Sequence, residues 1–184
     1  LLDELAARGA ILDGHFRLSS GRHSDRFVQK FRLLEDPALL ARVVAAMLEG
    51  LGPLDVRAVV SAAVGGIVLG YECARQLGTR AIFVEKEDGK PRFRRGFGVA
   101  PGERVLVVED VITTGLSVRE VIDVVAAQDG VVAAAAVVVR RSPVDVGVPL
   151  YALLDLPIAS YEPETCPQCA AGEPLTEPGS RFLR

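Results

Sequence analysis

The chain has 184 residues, 49% of them hydrophobic and 24% charged, enough for one domain with a sizeable core and small appendages. With 21 basic residues against 24 acidic ones, the net charge is -3 and the pI near 5.5, so nothing draws the surface as a whole to nucleic acid; the one basic grouping is Arg92, Arg94 and Arg95. The longest apolar run, Val131 to Val139, is too short to span a membrane, and Leu1-Leu2-Asp3-Glu4-Leu5 lacks the basic stretch and apolar block of a secretion signal, which makes the cytoplasm the default location.

Apolar residues at positions 1, 2 and 5 predict a short helix ending near Gly9. Asp36-Pro37 opens the next helix, the carboxylate capping free N–H groups and the proline occupying the first helical position, where its missing N–H costs nothing. Leu39, Leu40, Val43, Val44, Met47 and Leu48 then recur at helical spacing as a core-facing stripe, up to Gly50 and Gly52. Beyond it the patterns alternate: strand 57–62, helix 66–76, strand 80–85, a turn over 87–91, an extended return over 92–99, strand 104–108, helix 115–128, strand 131–139 and a last strand over 151–154. That alternation predicts an α/β fold with a central, mostly parallel sheet flanked by helices. Residues 1–35 are expected to form a small N-terminal hood, 36–156 the core, and 157–184 a Pro/Gly-rich tail over the surface or a partner subunit, all within a single domain.

Three cysteines cannot all pair, and Cys73 lies in an apolar helical pattern that suits a reduced core thiol. Cys166-Pro167-Gln168-Cys169 supplies only half of a four-ligand metal site, and neither His15 nor His23 is near it in sequence. It reads as an incidental pair in a turn, with a metal clip or a redox role as alternatives.

The chemistry concentrates in Val105-Leu106-Val107-Val108-Glu109-Asp110-Val111-Ile112-Thr113-Thr114-Gly115-Leu116-Ser117. A buried strand leads into two acids and then into a hydroxyl-rich helix entrance, where free N–H groups and the helix dipole suit a phosphate dianion. Glu109 and Asp110 can accept hydrogen bonds from vicinal hydroxyls or hold the water shell of a magnesium ion. Ser61 to Gly66 is a second strand-to-helix turn, whose glycines are better explained by tight packing than by an anion. Phe83 to Gly96 is a hairpin-like excursion carrying Lys86, Lys90, Arg94 and Arg95, and Arg140-Arg141 ends a strand where a guanidinium can grip a carboxylate.

The order of hydrophobic strand, two acids, two aliphatics, two threonines and glycine resembles the phosphoribosyl pyrophosphate signature of type I phosphoribosyltransferases, with Leu116 where those enzymes usually carry a small residue. Gly14 to Lys30, with Ser19-Ser20-Gly21 ahead of Phe27, resembles the opening of orotate phosphoribosyltransferases, and the likeness runs in family order to Pro178-Gly179-Ser180-Arg181. The resemblance implies an enzyme, a pentosyltransferase that moves ribose 5-phosphate from phosphoribosyl pyrophosphate to orotate in pyrimidine synthesis. It further implies that Glu109, Asp110, Val111, Ile112, Thr113, Thr114, Gly115, Leu116, Ser117 and Lys86 bind the sugar donor and that Lys86, Lys90 and Asp110 are catalytic. Ser20, Phe27, Thr113 and Arg141 would address orotate, with backbone groups of Ser19 to Gly21 at the base. Mg2+ would be held by substrate and water without direct side-chain ligation, in a homodimer whose cationic loop reaches into the partner's site. Relatives often place a Lys-x-His pair in that loop; this chain has no histidine between Lys86 and Gly98. Two alternatives are a phosphoribosyltransferase for a purine base, disfavoured by Arg141 and the hood, and a non-catalytic regulator sensing phosphoribosyl pyrophosphate or a nucleotide.

Overall fold

In the computed structural model, which describes residues 2–18 and 20–178, the two ends of the chain, up to Glu35 and from Pro157 onward, form one unit and Asp36–Leu156 form another. In the first unit, helix α1 (Leu2–Ala7) stops at Gly9, whose φ of 71° turns the chain away. Strands β1 (Ile11–Arg17) and β2 (His23–Val28) then pair antiparallel, Ile11 opposite Val28 and Arg17 opposite His23, followed by the short helix α2 (Phe31–Leu34). Neither strand is among the expected elements. Gly14 interrupts the first, and four polar residues in a row, His23-Ser24-Asp25-Arg26, run through the second, so no apolar alternation marks either.

The second unit begins as expected. Asp36 Oδ1 accepts hydrogen bonds from the Ala38 and Leu39 N–H groups at 3.0 Å each, and α3 (Pro37–Leu51) buries Leu39, Leu40, Val43, Val44 and Met47. Strand β3 (Ala58–Ala62), helix α4 (Gly66–Leu77) and strand β4 (Arg80–Glu87) form the first crossover. Strand β5 (Lys90–Phe93) returns antiparallel through the turn at Asp88-Gly89, both with positive φ; it stops at residue 93 instead of continuing to 99, with Arg95 and Gly96 at positive φ just beyond. Strand β6 (Arg104–Ile112), helix α5 (Leu116–Ala126) and strand β7 (Val131–Arg140) form the second crossover, and β8 (Leu150–Asp155) closes the sheet.

The sheet order is β5-β4-β3-β6-β7-β8, parallel except for β5. Helices α3 and α4 pack on one face and α5 on the other. Val60, Val105, Val107, Ala135 and Val137 make the core beneath Val118, Val121 and Val125 of α5, all almost fully buried. Among the described residues no helix is long and apolar enough to cross a membrane.

The tail, expected to be irregular, holds a 3-10 turn (Pro163–Thr165) and a helical turn, α6 (Pro167–Ala170), and it adds to the N-terminal hairpin. Tyr161 and His23 exchange N–H to O hydrogen bonds at 2.8 Å, while Arg17 N–H donates to Thr176 O at 2.9 Å and Thr176 N–H to His15 O at 2.8 Å. Arg22 donates to the Ser160 hydroxyl and carbonyl and pairs with Glu162. The closing residues Gly179, Ser180 and Arg181, like Ser19, lie outside the described residues.

Candidate active site

The chain leaves β3 through α4 toward β4 on one side and leaves β6 through α5 toward β7 on the other. Connections that diverge from adjacent parallel strands leave a crevice at the carboxyl edge between them, where open α/β sheets bind ligands. Pairing of β3 with β6 ends at Ser61 opposite Val108, whereas β6 continues against β7 to Ile112 opposite Arg140. Glu109 and Asp110 therefore lie inside a strand that runs four residues beyond the expected end at Val108, just where its β3 neighbour has turned away. Both are buried, at 7% and 2% exposure. Glu109 Oε1 accepts from the Asp110 N–H at 3.1 Å, and Asp110 Oδ1 from the Val111 N–H at 2.7 Å, so backbone groups orient both carboxylates.

The turn from Thr113 to Ser117 is braced from behind. Ser142 Oγ donates to Thr113 O at 2.7 Å, and the Arg119 guanidinium donates to Thr114 O at 2.6 Å and Asp145 O at 2.8 Å. With those carbonyls engaged, the N–H groups of Gly115 and Ser117 meet no backbone acceptor among the described residues, as an anion cradle at a helix start requires. Gly115 has φ 77°, and a Cβ there would lie 2.8 Å from both Arg119 Nη1 and Val144 Cγ2, so the position needs glycine twice over. The Leu116 side chain points outward, 58% exposed, and does not fill the turn. Ser142 and Arg119 were not among the expected residues; Ser142 reaches the Thr113 carbonyl across 29 positions, and Arg119, five residues after Thr114, ties the Thr114 carbonyl to that of Asp145, 26 positions on.

The neighbouring turn supports the packing reading of its glycines. A Cβ on Gly66 would meet Ser61 Cβ at 3.0 Å, and one on Gly70 would meet Ser61 Oγ at 2.9 Å. The Ala63–Val64 peptide in this turn is cis.

Arg140 and Arg141 separate clearly. Arg140 is held in a fork by Asp155, with Nη2 2.8 Å from Oδ2. Arg141 is anchored only through its backbone, its N–H donating to Ile112 O at 2.9 Å, while its side-chain Nε is buried with no hydrogen-bond partner among the described residues. Burial holds this guanidinium below its ordinary pKa. A desolvated cation of this kind is suited to receive an anion.

On the β4–β5 hairpin most cations are neutralised internally. Lys86 Nζ lies 2.8 Å from Glu120 of α5, Arg95 forks onto Glu85 at 2.8 and 3.0 Å, and Arg92 and Arg94 share Glu87. Lys90, at the exposed start of β5, forms no ion pair among the described residues. Thr113 stands with Arg141 in the second unit; Ser20 and Phe27 belong to the first, where Phe27 packs on Phe16 with ring centroids 5.8 Å apart.

No family model matches the chain. It is 51% identical to the orotate phosphoribosyltransferase of Pelotomaculum thermopropionicum, an alignment covering 98% of both chains. That likeness decides the family. The chain belongs to the orotate phosphoribosyltransferases. A second member, from Heliobacterium modesticaldum, is also 51% identical over 98% of this chain and 97% of its own. Among solved structures, the orotate phosphoribosyltransferase of Aeropyrum pernix superposes with a TM-score of 0.69 at 32% identity, covering 82% of this chain and 90% of that one. The type I phosphoribosyltransferase fold expected from the sequence is thus the observed one. Membership also implies a divalent cation. Glu109 and Asp110 are the carboxylates of the crevice, and no acidic cage of three or more ligands forms there among the described residues. Two oriented carboxylates suit magnesium, which keeps several waters and takes its remaining oxygens from substrate phosphates.

Proposed function

We propose that this chain catalyses magnesium-dependent transfer of ribose 5-phosphate from phosphoribosyl pyrophosphate to orotate, forming orotidine 5'-phosphate and pyrophosphate in the cytoplasm. The observation that carries the reading is the 51% identity to named orotate phosphoribosyltransferases over nearly the whole of both chains. Thr113 to Ser117 hold the 5-phosphate through outward N–H groups and hydroxyls, with Val111 and Ile112 setting the approach to the turn. Glu109 and Asp110 accept hydrogen bonds from the two ribose hydroxyls, fixing the anomeric carbon. Glu109 and Asp110 would hold magnesium through its water shell, and the ion would supply charge neutralisation on the diphosphate when bound. As the bond between the anomeric carbon and the diphosphate oxygen lengthens, Lys86 and Lys90 take up the charge of the leaving group, Lys86 exchanging Glu120 for it. Arg141 forks onto the orotate carboxylate and Thr113 contacts the ring edge. The ring nitrogen then bonds to the anomeric carbon, and Asp110 stabilises the positive charge that the ribose carries between departure and attack.

The active form is a homodimer with a shared site. Val64, Val68 and Tyr71 are 77%, 46% and 65% exposed and recur at helical spacing along α4 and its lead-in, an apolar stripe suited to a second copy.

The test is to incubate the purified protein with magnesium, phosphoribosyl pyrophosphate and orotate and follow loss of orotate absorbance, with adenine, hypoxanthine and uracil assayed separately for pyrophosphate release. Orotate turnover that Asp110→Asn and Lys90→Ala both depress supports the reading. Turnover of a purine base instead, or donor binding with no turnover on any base, overturns it.

A further inference from the structure

Of the readings open for Cys166 and Cys169, an incidental pair, a metal clip or a redox pair, the fold contacts favour the metal clip. His15 of β1 and His23 of β2, more than a hundred residues away, converge on them, and the ligand-capable atoms of all four side chains lie within 4.8 Å of one another. We propose that these four residues form a structural zinc site that clips the C-terminal tail to the N-terminal hairpin. The whole cluster lies within the first unit.

The spacing fits one tetrahedral ion. With Zn–N near 2.05 Å and Zn–S near 2.3 Å, tetrahedral edges are about 3.3 Å between nitrogens and about 3.6 Å between nitrogen and sulfur. His15 Nε2 and His23 Nδ1 are 3.1 Å apart; Cys166 Sγ and Cys169 Sγ lie 3.5 and 3.6 Å from His15 Nε2, and Cys169 Sγ lies 3.2 Å from His23 Nδ1. Hydrogen bonding does not account for this set. His15 Nδ1 sits 2.9 Å from the Glu173 carbonyl, which only accepts, so that nitrogen carries the proton and Nε2 presents a single lone pair. One lone pair faces three neighbours, more than a hydrogen bond can serve, whereas a cation at their centre serves all four atoms. Donation of the remote ring N–H to a backbone carbonyl is the outer contact that orients metal-bound imidazoles.

The framework is also prepared. Cys166 caps α6 and Pro167 opens it, so the Cys-x-x-Cys turn is fixed by the helix, and Gln168 Nε2 donates to Gly14 O at 3.1 Å beside His15. His15, His23 and Cys166 are buried and Cys169 is at the exposed side, which leaves an entry path. Two thiolates and two neutral imidazoles around Zn2+ make a neutral centre, with both thiol protons released on binding. An S2N2 tetrahedron favours zinc over the oxygen-seeking magnesium of the crevice. Because the ligands come from opposite ends of the chain, the ion closes a very long loop and adds to the backbone hydrogen bonds and the contacts of Arg17, Arg22 and Ser24 that hold the tail.

The experiment is elemental analysis of the full-length protein purified without chelator, followed by stripping, reduction and titration with Co2+. We expect close to one zinc per chain, and Co2+ bands of a tetrahedral thiolate site that saturate at one equivalent and are displaced by zinc. Cys169→Ser, at the exposed ligand and therefore compatible with folding, should lose the zinc and the thiolate-to-cobalt band while keeping the far-UV circular dichroism of the parent. Iron in place of zinc, an intact Cys166–Cys169 disulfide in protein that takes no Co2+ after reduction, or unchanged metal content in Cys169→Ser would each overturn the assignment. None of these readouts depends on orotate turnover.

Discussion

Replacing Arg141 by methionine tests the proposed orotate contact most directly, because methionine keeps much of the apolar stem and removes the charge. The guanidinium is desolvated, its Nε has no partner among the described residues, and Arg140 beside it is already engaged by Asp155. Truncating one member of a buried, hydrogen-bonded charge pair costs about 2–5 kcal/mol. At about 1.4 kcal/mol per tenfold, kcat/KM for orotate should fall by about 30- to 4,000-fold. Steady-state rates with orotate varied at saturating donor, and donor affinity measured separately, divide the effect: donor affinity should stay at the parent value, since residues 109–117 are the ones proposed to hold the donor. The melting temperature of the unliganded protein should not fall, because the folded state loses a desolvated cation whose Nε has no partner among the described residues. Arg141→Lys, which keeps the charge without the fork, should fall between the two. Wild-type kcat/KM for orotate in Arg141→Met, or an equal loss of donor affinity, would refute the reasoning.

Gly115→Ala should lower stability by about 1–3 kcal/mol through its positive φ, and raise KM for the sugar donor as Arg119 and Val144 are pushed away; a thermal melt and donor-varied kinetics check both. For Glu103, burial raises the pKa, but the Arg80 fork and the Ala100 N–H outweigh it and leave the carboxyl below its ordinary 4.5. A lowered folded value stabilises above the unfolded one, so Glu103→Gln should cost about 1 kcal/mol near neutral pH, and the gap to wild type should close as pH falls below 4.5 in denaturant titrations. Burial pushes the Cys73 thiol up to about 12, so a thiol reagent at pH 8 should spare it in the native protein and modify it in denaturant, as peptide mass mapping reads.

Local pattern alone determined the core. The cap at Asp36-Pro37, the stripe of α3 and the continuous apolar runs of β3, β6 and β7 are written in neighbouring residues, and each formed within a few positions of its expected bounds. The turn proposed for the phosphate could be read as a strand-to-helix junction for the same reason: acids, threonines and glycine are adjacent in sequence and act through nearby backbone. Tertiary structure decided whatever rests on distant partners. Strand β6 runs on through Glu109 and Asp110 because β7 supplies hydrogen bonds to Ile112, a condition no window around the acids contains. Ser142 and Arg119 brace the turn from beyond it, and Asp155 separates Arg140 from Arg141. The polar hairpin β1–β2 is stabilised in part by a tail that returns after more than a hundred residues, and that return alone carries Cys166 and Cys169 to His15 and His23. Sequence separation hides such contacts, because the chain entropy of closing a long loop leaves no trace in local composition.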